Sequence, residues 1–331
     1  MKIIISRTDK IGDVVLSLPV AGVIKKSFPS SVIYFLGRSY TEAVISSSTF
    51  VDHFINWDKL KDKANPLADY KEIDAIVHVF PDRAIAKAGK KAGINLRIGT
   101  SHRLYHFFTC NRLLSLSRKK SDLHEAQLNL KLLEPLGIKK NFSLEEVSDF
   151  YGWKNSSTPS PTFIPFLSKE RFNLILHIKS MGSAKEWPVQ YFFQVAEMLS
   201  KEFNIIITGT LEEGDAIQKE CAAIFKLPSV KNACGKFSLP EFIRFIECAD
   251  GLVACSTGPL HIAAASGIYA LGLYPSTRPM HIGRWGAIGK KASSLEEKQG
   301  MVESSTSNNK YLDTITPEQV YEVVNTWNKH L

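Results

Sequence analysis

Arg7 and Asp13 bracket the stretch RTDKIGD, in which Gly12 allows close backbone approach and Asp13 opens an apolar helical run. A carboxylate there has the chemistry of a general base toward a hydroxyl; the competing role is helix capping, which Asp favours. Arg7 offers a cation to an anionic acceptor group, or a partner to Asp9 or Asp13. The stretch KSMGSAKEWP (179–188) supplies Ser180, Gly182 and Ser183 as small polar donors and Lys185 as a cation, a set suited to a diphosphate. In TGTLEEG (208–214), Glu213 stands near a helix start just past a strand, where a carboxylate holds ribose hydroxyls or balances the helix dipole. In CSTGPLHIAAA (255–265), Ser256, Thr257 and Gly258 lead into a helix with Pro259 in its first turn, which aims N–H groups at an anion. His261 lies close to that start; the competing roles are a core histidine and a tight turn without a ligand.

Other chemistries lack their residues. The chain has no HExxH, no GxSxG, no Cys/His cluster and no GxxxxGK[ST], and no GxGxxG follows the first apolar strand. Zinc hydrolysis, an α/β-hydrolase triad, a P-loop and a dinucleotide oxidoreductase are therefore disfavoured. A basic segment, YPSTRPMHIGRW (274–285), presents Arg278, His281 and Arg284 just past a strand, either for sugar or phosphate or as an ordinary loop.

Strands and helices must aim these segments. Apolar runs predict strands at 2–6, 31–36, 54–57, 74–80 and 96–99, alternating with helices at 13–26, 41–47 and 83–92. A helix is expected at 122–134 with Ser121 as N-cap, before a Ser/Thr/Pro-rich stretch at 155–165. The rhythm then restarts, with strands at 173–178, 204–208, 251–255 and 269–274 and helices at 189–203, 213–225, 239–248, 259–265 and 317–329. Strands alternating with helices imply parallel sheets covered on both faces, with ligands at the carboxyl ends of the strands. The candidate residues fall just there.

The 331 residues exceed what one core usually serves, so two domains are expected. No apolar run approaches the ~20 residues that cross a bilayer, and Arg7, Asp9, Lys10 and Asp13 interrupt any leader-like opening, so a cytoplasmic protein is expected. Five scattered cysteines argue against a disulfide framework and for buried apolar fillers. The formal charge of +8 suits an anionic partner or a solubilising surface; no nucleic-acid module accompanies it.

In order along the chain, KIIISRTDKIGDVVLSLP, LRIGT (96–100), HEAQLNLKLLEPLG (124–137), AKEWP (184–188), GKFSL (235–239) and STGPLHIAAASG (256–267) resemble glycosyltransferase family 9, the ADP-heptose:lipopolysaccharide heptosyltransferases. The resemblance implies an α/β GT-B architecture: two Rossmann-like, doubly wound parallel-sheet domains facing a cleft. Its division would be an acceptor domain at 1–155, a linker at 156–170, a nucleotide-sugar domain at 171–315 and a C-terminal helix at 316–331 packing back on the first domain. It implies inverting transfer without metal or cofactor, with Asp13 matching the general base and Ser180 and Lys185 the donor phosphate contacts. Glu213 matches a ribose carboxylate, Thr257, Gly258 and His261 the donor-binding turn, and Phe237 a residue bordering adenine. The partners implied are an ADP-linked sugar and an anionic lipid-linked saccharide at the inner face of the inner membrane, with no nucleic acid. The family's usual Asp-Thr/Ser-Gly turn has Ser256 at its first position here, which leaves the donor sugar open. A nucleotide-sugar epimerase of the same architecture and a decayed nucleotide-binding scaffold are the alternatives.

Overall fold

Continuous β-branched and aliphatic runs build the centre of each half of the chain. The structure, a computed structural model, describes residues 1–70, 72–118, 121–155, 159–298 and 311–328. It divides into two units, Met1–Lys154 and Asn155–Leu331. The first contains β1 (Lys2–Ser6), β2 (Val32–Gly37), β3 (His53–Asn56), β4 (Ala75–His78), β5 (Leu96–Thr100) and β6 (Arg112–Leu114), all parallel, in the order β3-β2-β1-β4-β5-β6. The second contains β7 (Phe172–His177), β8 (Phe203–Thr208), β9 (Val230–Asn232), β10 (Gly251–Cys255), β11 (Tyr269–Tyr274) and β12 (Ala292–Glu296), in the order β12-β11-β10-β7-β8-β9. Read from its own first strand, each unit repeats the same doubly wound order. Ile3, Ile4 and Ile5 are wholly buried, as are Leu174, Ile175 and Leu176, because helices cover both sheet faces.

The expected helix at 13–26 is two helices, Ile11–Val15 and Leu18–Ser27. Pro19 has no N–H to give the carbonyl four residues back and its ring crowds that carbonyl, so the helix breaks and restarts with Pro in the new first turn. The helix expected at 122–134 is shorter, Glu125–Lys131, and its N-cap is His124 rather than Ser121. His124 Nδ1 accepts from the Ala126 N–H at 3.2 Å while Gln127 Oε1 accepts from the His124 N–H at 3.0 Å.

Residues 156–158 of the expected linker lie outside the described residues. The rest of it is less of a linker than its composition suggests: Phe163 is buried, edge-on to Phe237 and Phe245 of the second unit. The C-terminal helix, Pro317–Trp327, was expected on the first domain; its apolar face instead packs within the second unit, against the helix Val189–Leu199. Val320, Val324 and Trp327 are buried there, with Trp327 stacked on Tyr269 at 5.2 Å. Gly251 permits that approach, since a Cβ would stand 2.8 Å from the Trp327 ring. Lys329, the expected end of this helix, lies outside the described residues. No described helix is long and apolar enough to cross a membrane.

Candidate active site

In each sheet the winding reverses at one place, between β1 and β4 in the first unit and between β7 and β10 in the second. Loops leave the strand ends there in opposite directions and open a crevice, the usual ligand position in such sheets. Arg7 follows β1, Ser180 and Lys185 follow β7, and Thr257, Gly258 and His261 follow β10. Glu213 and Phe237 follow β8 and β9.

In the first unit, Arg7 is 2% exposed and each guanidinium nitrogen has an anionic partner. Nε donates to Asp9 Oδ1 at 2.6 Å, Nη1 to Glu125 Oε1 at 3.0 Å, and Nη2 to Asp13 Oδ1. The expected contact of Arg7 with an acceptor is thereby corrected: a guanidinium buried among three carboxylates is not presented to a ligand, and what it does is hold Asp13. Asp13 is not a cap. Lys10 occupies the N-cap position of Ile11–Val15 and makes no side-chain cap bond. With Oδ1 on Arg7, Asp13 Oδ2 has no hydrogen bond among the described residues, and the side chain is 17% exposed. One oxygen is fixed by Arg7. Burial pushes the Asp9 carboxyl above its usual value, against the opposing charge of Arg7.

Glu125 went unrecognised as a site residue in the sequence. It is fully buried and pairs with both Arg7 and Arg118. Asn129, one turn on, donates to Leu16 O and Ser17 Oγ, both at 3.2 Å, and accepts from Arg118 at 3.1 Å. The helix Glu125–Lys131 is thus strapped to the segment carrying Asp13. The only foretaste in the sequence was the quoted stretch HEAQLNLKLLEPLG; nothing in its spacing pairs Glu125 with a residue 118 positions away.

In the second unit, Thr257 is the N-cap of the helix Gly258–Ser266 but makes no side-chain cap bond, and its Oγ1 is buried without a partner among the described residues. His261 Nδ1 is buried and likewise unpartnered among the described residues. Burial pulls the His261 imidazole down to about 4, so at neutral pH it offers a hydrogen bond and no charge. A buried polar atom left unpaired costs about 1–3 kcal/mol, so two at one helix start make it a candidate anion site. Lys185 Nζ stands 2.9 Å from both oxygens of Glu297, a buried carboxylate just past β12 that the sequence did not single out. The Trp187 N–H, two residues on, donates to Cys255 Sγ at 3.2 Å and ties this segment to the end of β10. Cys255 is buried, and burial pushes its thiol up to about 12.

The remaining candidates have local partners. The Ser180 N–H donates to Glu186 Oε1 at 2.9 Å, and its hydroxyl lies 3.0 Å from Ala184 O. After it, Met181 and Gly182 both take left-handed backbone, φ 49° and 73°, a conformation that costs a residue such as Met about 1–2 kcal/mol. Glu213 closes a capping box: Oε2 accepts from the Thr210 N–H at 2.8 Å while Thr210 Oγ1 accepts from the Glu213 N–H at 3.2 Å. Gly209 makes room, since a Cβ there would lie 2.8 Å from Glu213 Oε2. Burial pushes the Glu213 carboxyl up, against the pull of the Thr210 N–H. Phe237 stacks on Phe245 at 4.6 Å and is half-buried. Arg278 is exposed, His281 starts the short helix Ile282–Trp285, and Arg284 is buried 5.5 Å from the Trp285 ring.

Buried neutral histidines make the fold acid-sensitive. His177 and His261 in the second unit are held near 4 by burial, and His78 in the first near 3. The unfolded chain takes these protons near pH 6.5 and the fold does not, so stability is full above that value and falls as pH drops toward 4. Between pH 7 and 5 each histidine is expected to cost about 2 kcal/mol, twice over in the second unit. Calorimetry at the two pH values checks this. His177→Gln, which keeps a partner for Thr208 Oγ1 (now 3.0 Å from His177 Nδ1), should flatten the second unit's fall, and an unchanged pH profile would refute the assignment.

Comparison with known proteins bears on the family and the fold. The family profile described as glycosyltransferase family 9 (heptosyltransferase) matches residues 92–312, about two thirds of the chain. A Haemophilus influenzae protein described as a glycosyltransferase is 27% identical over 299 residues, 87% of this chain and 86% of that one. The lipopolysaccharide core heptosyltransferase OpsX of Haemophilus influenzae is 23% identical over 308 residues, 88% of this chain and 84% of its own. The structure of Escherichia coli ADP-heptose lps heptosyltransferase II superposes with a TM-score of 0.74 at 18% identity, covering 100% of this chain and 99% of that one, and so shares the two-sheet fold.

Proposed function

Because the chain belongs to glycosyltransferase family 9, we propose that it transfers heptose from ADP-heptose, with inversion and without a metal, to a lipid-linked lipopolysaccharide core saccharide at the inner face of the inner membrane. The observation that carries this reading is the pair of orphaned buried atoms, Thr257 Oγ1 and His261 Nδ1, at the start of the helix that follows β10. They and the first-turn N–H groups receive the diphosphate, whose developing charge Lys185 balances. For that, Lys185 exchanges the Glu297 carboxylate for phosphate oxygens. The acceptor hydroxyl attacks the anomeric carbon as Asp13 Oδ2 takes its proton, the new glycosidic bond forms, and the bond to the diphosphate breaks. The nucleoside diphosphate leaves with both electrons of that bond.

Family membership sets the epimerase reading aside, and the retention of Asp13, Lys185, Glu213 and His261 argues against a decayed scaffold. Ser256 stands where the family's turn commonly has Asp, so the donor turn lacks that carboxylate. A thermal-shift panel of ADP, UDP, GDP, CMP and their sugars is expected to show selective stabilisation by ADP and ADP-heptose. A ligand at a hundred times its Kd adds about 2.7 kcal/mol. Lys185→Ala should weaken ADP binding by about ten- to a hundredfold, the worth of a charge-assisted phosphate contact. Stabilisation by another nucleotide would replace the donor, and silence across the panel would overturn the donor site.

A further inference from the structure

Between Arg83 and Ser121 the sequence has ten Lys and Arg and no Asp or Glu. The rest of the chain therefore holds 31 basic residues against 33 acidic ones, and this one stretch accounts for the whole basic surplus. Its helix, Arg83–Lys91, buries Ile85, Ala86, Ala88 and Gly89 and exposes Arg83, Lys87, Lys90 and Lys91 along one face. Beside it the short helix His106–Thr109 is inverted: His106 and Thr109 are buried, while Leu104, Phe107 and Phe108 are 76%, 56% and 68% exposed. Lys90 Nζ donates to Phe108 O at 2.8 Å and ties the basic face to the apolar knuckle.

We infer that this element docks the first unit onto an anionic phospholipid bilayer, with Leu104, Phe107 and Phe108 entering the interface and the lysines meeting headgroups. Apolar side chains projecting beside a cationic face are the chemistry that holds a protein in the plane of such a membrane, each element reinforcing the other. A second copy of the chain fits the surface poorly, because a two-fold contact would set two such basic faces against each other. The inference rests on the reading that the acceptor is lipid-linked, and it names the surface that brings the enzyme to it.

The full chain is expected to sediment with phosphatidylcholine vesicles containing phosphatidylglycerol and to stay in solution with phosphatidylcholine alone. Leu104→Ser with Phe107→Ser and Phe108→Ser should lower the partition coefficient at least about tenfold, at positions too exposed to disturb folding. Arg83→Ser and Lys87→Ser should each lower it about fivefold, as should added salt for the native chain. No binding to the anionic vesicles, equal binding to neutral ones, or an unchanged partition of the apolar variant would overturn the proposal. So would loss of a dimer in sedimentation velocity on making that variant, which would show a second copy to be the occupant. Stabilisation by ADP is measured on the same samples, so failure of the docking surface and failure of the donor site are read separately.

Discussion

Asp13→Asn is expected to lower kcat by about 10²–10⁴, the usual contribution of a positioned general base, while leaving donor affinity unchanged. The amide is isosteric, and its oxygen can still accept from Arg7 Nη2, the bond that Asp13 Oδ1 accepts now. What it lacks is the capacity to take a proton at the second position. Arg7 keeps Asp9 and Glu125 as anionic partners, so the loss should appear in turnover rather than in folding. Thermal shift with ADP supplies the control, because the candidate donor groups all belong to the second unit. A fully active Asp13→Asn enzyme would sink the base assignment. A variant that loses ADP binding together with turnover would place Asp13 in donor recognition instead.

The sequence made most of the fold legible because its central strands are continuous apolar runs. The expected bounds of β1, β10 and β11 coincide with those observed, and all three lie inside their sheets. The strands left unrecognised, β6, β9 and β12, are edge strands. Arg112–Leu114 and Val230–Asn232 have three residues each, and Ala292–Glu296 is largely polar. An edge strand covers less of the core, so neither length nor apolarity announces it. Missing β12 meant missing Glu297, the partner of Lys185, which directly follows it. Local alternatives could not be decided from local sequence either. Asp13 and Glu213 both read as helix-start carboxylates, yet Asp13 turns back to Arg7, itself held by Glu125 from far along the chain, while Glu213 closes a capping box. The first outcome depends on Glu125 and Asn129, which long-range folding delivers and spacing does not reveal.

Arg7→Met is expected to destabilise the first unit by about 3–5 kcal/mol, the cost of removing one partner from a buried ionic group and leaving the others uncompensated. Methionine fills most of the same volume, so the effect isolates the charge. Asp9, Asp13 and Glu125 then share a pocket without the guanidinium that separates them, and Arg118 remains to Glu125 alone among the three. Carboxylates in that state hold protons more tightly in the fold than in the unfolded chain. The sign of the pH dependence follows: the variant's deficit should be largest near pH 8 and shrink as pH falls toward 5, where the crowded carboxyls protonate. Asp9 leads this recovery, because burial already pushes its carboxyl up and Arg7 is the main group opposing it. Calorimetry of the full chain separates the units, since ADP should raise only the second unit's transition. For a unit of this size the first transition should drop by on the order of 10 °C at neutral pH. Adding Glu125→Gln should restore part of the loss by removing one buried charge. A first transition that does not move would show that the cluster tolerates its anions without Arg7, and Asp13 would then need another source of its fixed geometry.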